Sequence, residues 1–205
     1  MNPRPPITVR PGTAADRPIV ASILARAFID DPAFGYIFPD ATARAMRLQR
    51  FFALITAIAP DPALTDIALD AQGHPAAVAL WRSPGAWATP TTTMLRRIGA
   101  LLATFGTALP RALALQAVLD SHHPAAPHWY LQFAGCLPQA QGRGYGGAVI
   151  RARLAQCDVV RLPAGLETAT PANVPLYTAL GFTVAEQFDL PRGGPAFWTM
   201  WREPR

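Results

Sequence analysis

The chain has no lysine: all 18 of its basic residues are arginine. Glutamate is nearly as scarce, with only Glu167, Glu186 and Glu203 among 13 acids. This usage, rich in alanine and proline, is of the kind that GC-rich coding produces. Charged residues make up only 15% and hydrophobic ones 51%, which excludes intrinsic disorder and allows a large core. Two cysteines, Cys136 and Cys157, are too few for a disulfide framework and lack the spacing of a zinc site. The net charge is +5, yet the arginines form no dense cluster and no DNA-reading motif, so a nucleic-acid partner is not expected. No apolar run follows the first arginines, as a secretory signal would require. The longest apolar window, residues 98–119, is interrupted by Pro110 and Arg111, and each half is too short to span a bilayer. We therefore expect a soluble, cytoplasmic protein without a membrane partner, in which this window folds as a helical hairpin over the core.

Periodicity supplies the coarse architecture. Residues 7–10 read as a strand, and 13–32 as one helix with Thr13 as N-cap and Pro32 at its end. A second helix covers 41–59. "ALTDIALD" and "PAAVALWRS" read as two strands joined by a turn at "AQGH". Helical residues 91–119 follow, then strand "HWYLQFAGC", a glycine-rich turn, a helix to about Cys157, strand "PAGLETAT" and a short helix stopped by Gly181. Two strands flanking "PRGG" end the chain. With no repeat and no long linker, residues 1–205 read as a single α/β domain. An antiparallel N-terminal meander passes into a βαβα unit, with a helical insertion at about 91–119.

The turn "PQAQGRGYGG", residues 138–147, is the first chemical signal. Glycines opening a helix leave backbone N–H groups directed at one spot, where the helix dipole favours an anion. Gly142, Gly144 and Gly147 fit a dinucleotide fingerprint, with Glu167 as its distal acid. Against that reading, "PQAQ" separates the turn from the strand, and too little chain remains for a two-half nucleotide sheet. The pattern Gln141-x-x-Gly144-x-Gly146 offers a pyrophosphate loop instead. A glycine turn without a ligand is the third reading.

Downstream, Asn173, Tyr177 and Gly181-Phe182 stand at N-x-x-x-Y-x-x-x-G-F after "LET". Together with "HWYL", "PQAQGRGYG", the tail "FWTMWREP" and the N-terminal "AFIDDPAFGYIFPD", this order resembles the Gcn5-related N-acetyltransferases, in particular their puromycin N-acetyltransferase-like branch. The resemblance covers roughly the last 80 residues and the segment around Asp31; residues 41–120 carry little of it. It implies a central, mostly antiparallel sheet with one splayed parallel pair and flanking helices. It also implies acetyl-CoA as co-substrate, direct transfer to a small-molecule amine, and no metal. The alternatives are a Rossmann-like dinucleotide oxidoreductase and a non-catalytic acyl-CoA-binding module.

The resemblance also distributes roles. Gln141, Gly142, Arg143, Gly144, Tyr145, Gly146 and Gly147 would hold the pyrophosphate, although a solvated Arg143 is an equal reading. Cys136 and Leu137 would pair through their backbone with the pantetheine arm, and Asn173 and Tyr177 would complete the cofactor site. Tyr177 falls where the family places the acid that protonates the leaving thiolate. Glu167, in an otherwise apolar strand, reads either as the base that deprotonates the amine, directly or through water, or as a structural hydrogen-bonding group. His128 is the other base candidate. His122 and His123 read as loop residues, and Cys136 as packing rather than as a nucleophile. Phe28, Asp31, Phe34 and Tyr36 would line the acceptor pocket, where acids and aromatics suit a cationic, aromatic-bearing amine. Gly165 stands where relatives carry a bulky aromatic, so a wider pocket is expected there. Monomer and homodimer remain equally open.

Overall fold

The computed structural model describes residues 7–59, 61–87, 91–191 and 193–205. The start of the chain read for a leader and Arg192 of the expected "PRGG" turn lie outside them.

Seven strands form one sheet: β1 (Val9–Pro11), β2 (Thr65–Leu69), β3 (Pro75–Arg82), β4 (Trp129–Cys136), β5 (Ala164–Thr168), β6 (Thr183–Asp189) and β7 (Ala196–Arg202), in the order β1-β2-β3-β4-β5-β7-β6. Neighbours run antiparallel except β4 and β5. That parallel pair is in register only at Trp129–Ala164 and Tyr130–Gly165, after which the strands splay apart. A two-half parallel nucleotide sheet is thereby excluded, and the dinucleotide reading of the glycine turn with it.

Both faces of the sheet are covered. Helix α1 (Arg17–Ala27), α2 (Pro32–Ile37) and α3 (Ala41–Ile58) lie on one face, where Ile23, Leu24, Phe34, Leu48 and Phe52 join a core with Val78 and Leu80. Helix α7 (Tyr145–Val159) and α8 (Val174–Ala179) lie on the other, packing Val149, Ile150 and Tyr177 against Leu131 and Leu166. Helix α1 approaches β4 closely at Gly135, where a Cβ would stand 2.9 Å from Ala27 Cβ and 3.0 Å from Leu24 Cδ2. Between α7 and the sheet, Arg153 reaches Asp66 of β2 through two hydrogen bonds of 2.9 Å. Both side chains are buried, so each charge depends on the other.

Three features depart from the expectation. The helix expected over 13–32 is two: α1 ends at Ala27, and Asp31 caps α2, accepting from the Ala33 and Phe34 N–H groups at 3.0 and 3.3 Å. Pro32 starts that second helix instead of ending the first, because a first-turn proline forfeits no hydrogen bond. Likewise Pro110 does not interrupt the apolar window but opens α6 (Leu109–His122), which follows α4 (Thr91–Arg96) and α5 (Ile98–Phe105). The run Ile98–His122 is by length and composition apolar enough to cross a membrane. A turn at Gly106 (φ 50°) breaks it, and Phe105, Ala108 and Leu115 are buried against the core. Finally, β4 carries one residue more than β3 between Leu131 and Phe133. This bulge lets Tyr130 and Phe133, three residues apart, face the same side of the sheet. Arg82 pins it by donating from Nε to Gln132 Oε1 at 2.9 Å.

Candidate active site

A cavity of about 210 Å³ opens where β4 and β5 part and runs beneath α2, α3 and α6. Its deep wall is aromatic: Phe28, Phe34, Phe51, Phe105 and Phe133, whose rings meet edge to face at 5.1–5.9 Å where they touch one another. The splayed end is polar, with Tyr177, Asn173, Glu167, Tyr130, His123 and Asp120.

Alternation along β5 turns Ala164 and Leu166 toward α7 and presents Glu167 to the cavity. His123, which caps α6, places Nδ1 3.3 Å from Glu167 Oε1, and both side chains are only 4% exposed. The Tyr130 hydroxyl lies near Glu167, and burial first, with that carboxylate's charge second, holds its pKa well above the usual phenol value. Glu167 Oε2 and His123 Nε2 are buried without a partner among the described residues. Trp87 stacks on the His123 ring at 4.1 Å.

Tyr177, on α8, lines the cavity and is buried. Burial first, and the nearby charge of Asp31 second, push its hydroxyl up to about 12. The Asp31 carboxyl is itself pushed up by burial, against the Phe34 N–H, the Thr170 hydroxyl (3.0 Å) and the Ala33 N–H, which favour its charged form. Asp31 thus lines the cavity while capping α2 and tying it to the segment after β5. Cys136 is half-buried, and burial raises its thiol, which suits packing better than nucleophilic attack.

At the far end of β4, Gly142 (φ 70°) and Gly144 (φ 90°) take left-handed backbone that only glycine adopts freely. Gly144 stands at the N-cap of α7, and no side chain caps the helix, so the N–H groups of Tyr145, Gly146 and Gly147 are left for an external acceptor. Gln141, Gly142 and Arg143 are exposed on this loop. Gln141 Nε2 reaches the Cys136 carbonyl at 3.4 Å.

Several expected placements are corrected. The Leu137 N–H bonds the Ala76 carbonyl at 2.9 Å, and its own carbonyl accepts from Ala140 at 2.8 Å. Ladder groups alternate, so the backbone of Cys136, and of Ala134 before it, faces the gap, whereas that of Leu137 does not. Tyr36 misses the cavity: α2 turns Ala33, Phe34 and Ile37 inward, and Tyr36 instead lines a separate hollow with Pro110, Arg111 and Ala114 of α6. His128 does not reach the cavity wall. Its Nδ1 lies 2.7 Å from the Ala126 carbonyl, burial lowers its pKa, and its ring packs over Gly165. That ring fills the space expected to widen the pocket, since a Cβ on Gly165 would meet His128 Cδ2 at 2.9 Å and Nε2 at 3.0 Å. Gly165→Ala should therefore overpack the site, costing about 1–3 kcal/mol. Thermal melts should show it as a Tm lowered by several degrees, and an unchanged Tm would mean the ring moves freely.

His122 is not a loop residue, whereas His123 is the first residue beyond α6, as expected. His122 ends α6, pairs with Glu186 at 3.0 Å and stacks on Phe188 at 3.9 Å. His123, Tyr130 and Trp87 belong to the site and were missed. No local pattern marks His123, because its partner lies 44 positions further along the chain.

No protein-family model matches the chain. Among solved structures, it is similar to a histone acetyltransferase HPA2 and related acetyltransferase from Corynebacterium glutamicum, at 28% identity over 97% of both chains and a TM-score of 0.75. A Drosophila melanogaster polyamine N-acetyltransferase that forms N-acetylagmatine superposes at a TM-score of 0.65, with 13% identity over 97% of this chain and 100% of that one. A Sinorhizobium meliloti phosphinothricin acetyltransferase in complex with AcCoA superposes at 0.55, with 17% identity over 97% and 88%.

Proposed function

We infer that this chain, an N-acetyltransferase of the Gcn5-related superfamily, moves an acetyl group from acetyl-CoA directly to a primary amine of a small molecule. One observation carries this reading: a proton donor, Tyr177, and an acceptor pair, Glu167 with His123, face one cavity at the mouth of the β4–β5 gap.

The residues present fit acetyl-CoA. An uncapped fifteen-residue helix behind Gly144 suits a pyrophosphate, and a Cβ at Gly142 or Gly146 would meet nothing within 4 Å, so that approach is open. The backbone at Ala134 and Cys136, which faces away from β3, suits the pantetheine amides. When bound, acetyl-CoA supplies the acetyl group as an activated thioester. With its pKa raised to about 12, Tyr177 keeps its proton through the neutral range and can donate it to a departing sulfur. Asn173, beside it on the cavity wall, helps hold the cofactor arm. The Phe28–Phe34 wall excludes water, and Asp31 and Asp120 favour a cation, in keeping with an amine that enters protonated.

A panel of primary amines with acetyl-CoA, followed by release of free thiol, tests the activity. Acceleration by at least one amine is expected, whereas coenzyme A binding without turnover on any amine would favour a binding module. Before any amine is known, coenzyme A should stabilise the fold by mass action, by about 2.7 kcal/mol at a hundredfold excess over Kd, and so raise the Tm. NAD should leave it unchanged, and the reverse pattern would overturn the cofactor assignment.

A further inference from the structure

We propose that His123 Nε2 is the base that takes a proton from the acceptor's ammonium, with Glu167 as the positioning residue that fixes the imidazole. The proposal rests on the acetyltransferase reading and makes α6 part of the active site.

The argument begins with the two orphaned atoms. A carboxylate can only accept, so the approach of His123 Nδ1 to 3.3 Å from Glu167 Oε1 favours the ring proton on Nδ1. In the neutral ring Nε2 then carries a lone pair. Glu167 Oε2 and His123 Nε2 are both buried, both unpartnered and both acceptors. Burying acceptors without donors is costly, so the missing partner must bring N–H or O–H groups. An alkylammonium carries three donors and no acceptor, which matches. A carboxylate or phosphate would meet these lone pairs together with Asp31 and Asp120, and among the described residues no arginine lines the cavity.

The ring is also held for the task. Trp87 covers one face at 4.1 Å, and Tyr130 meets it edge-on at 4.9 Å and 90°. Glu167 Oε1 stands 3.3 Å from the ring, and an imidazole is by nature a stronger base than a carboxylate. In the step, an N–H bond of the ammonium breaks and an Nε2–H bond forms. The new imidazolium charge lies against the Glu167 carboxylate, and the amine nitrogen keeps its electron pair for attack. Of the three protons on that nitrogen, His123 takes one and passes it to solvent. One stays in the amide, and one replaces the proton that Tyr177 gives to sulfur.

The charged and titratable groups facing His123 are Glu167 on β5, Tyr130 and His128 on the β4 side, and Asp120 on its own helix, with Arg82 acting through Tyr130. Because several of them titrate, a base series is a cleaner test than a pH profile alone. With the best amine of the panel, His123→Gln should lower kcat about 100-fold or more, at an unchanged Tm; a loss smaller than tenfold overturns the proposal. In His123→Ala, added imidazoles should restore turnover in proportion to their basicity. Rescue that is absent, or flat across the series, overturns it, because the ring would then serve only to fill space. Nitrogen NMR of the unliganded wild type gives a readout independent of turnover: Nδ1 should be protonated and Nε2 bare, and the opposite tautomer overturns the assignment. Failure of the wild type on every amine would instead count against the acetyltransferase reading itself.

Discussion

Tyr177→Phe is expected to lower kcat by roughly 10- to 1,000-fold while leaving acetyl-CoA affinity within about twofold. The substitution keeps the ring that meets Phe182 edge to face at 6.1 Å and removes only the hydroxyl, so the fold should melt as before. Burial and Asp31 hold that hydroxyl at about 12, against an ordinary 10.0. At either value the hydroxyl keeps its proton through neutral pH, so it can donate to a departing sulfur and does not serve as a base there. The same shift predicts no alkaline loss of rate from Tyr177 until pH approaches its raised value. It also makes the native state the weaker binder of the phenolate, so stability falls as pH rises from about 10 toward 12. Wild-type turnover in the phenylalanine variant would place the acid elsewhere, and catalysis would rest on positioning alone.

What was legible in the sequence is what is written locally. The glycine turn announces its left-handed residues and the helix behind it, and the resemblance carried by Asn173, Tyr177 and Gly181 points to Tyr177, which the structure places on the cavity wall. The β2–β3 pairing was legible because its connection is short and carries a turn signal, whereas β1–β2 and β3–β4 pair across long helical segments. What stayed hidden depends on side chains meeting across the fold. Whether Phe34 or Tyr36 faces the cavity depends on where α2 begins, and Asp31 sets that start as its cap. Gly165 suggested empty space because a sequence cannot show that His128, 37 positions earlier, lays its ring there. The place of His123 in the site stayed hidden because its partner, Glu167, comes from a strand that the sheet brings beneath the end of α6. Even Leu137 and Cys136, adjacent in sequence, differ in function, because a ladder turns their backbone groups to opposite sides.

Gly144→Val is expected to abolish detectable coenzyme A binding, a loss of at least about 100-fold, in a protein that still folds. The residue sits at φ 90°, and a Cβ there would come no nearer than 3.6 Å to Ile7 Cδ1, so crowding is not the obstacle. The obstacle is the backbone: a left-handed conformation costs an L-residue about 1–2 kcal/mol, and more for a β-branched side chain. The loop would relieve that strain by rotating, carrying the N–H groups at the start of α7 away from a common focus. Unliganded Tm should therefore fall by only a few degrees while calorimetric binding vanishes. Gly146→Ala separates binding from folding more sharply. Gly146 lies in the first turn of α7, and a Cβ there meets nothing within 4 Å. Alanine is the better helix former by about 1 kcal/mol, so the unliganded variant should melt slightly higher than wild type. If the pyrophosphate rests on this turn, the added methyl stands in its way and affinity should fall. Stability and binding are thus expected to move in opposite directions from one methyl group. A variant that gains stability and keeps full affinity would show that the glycines shape the turn and do nothing for the cofactor.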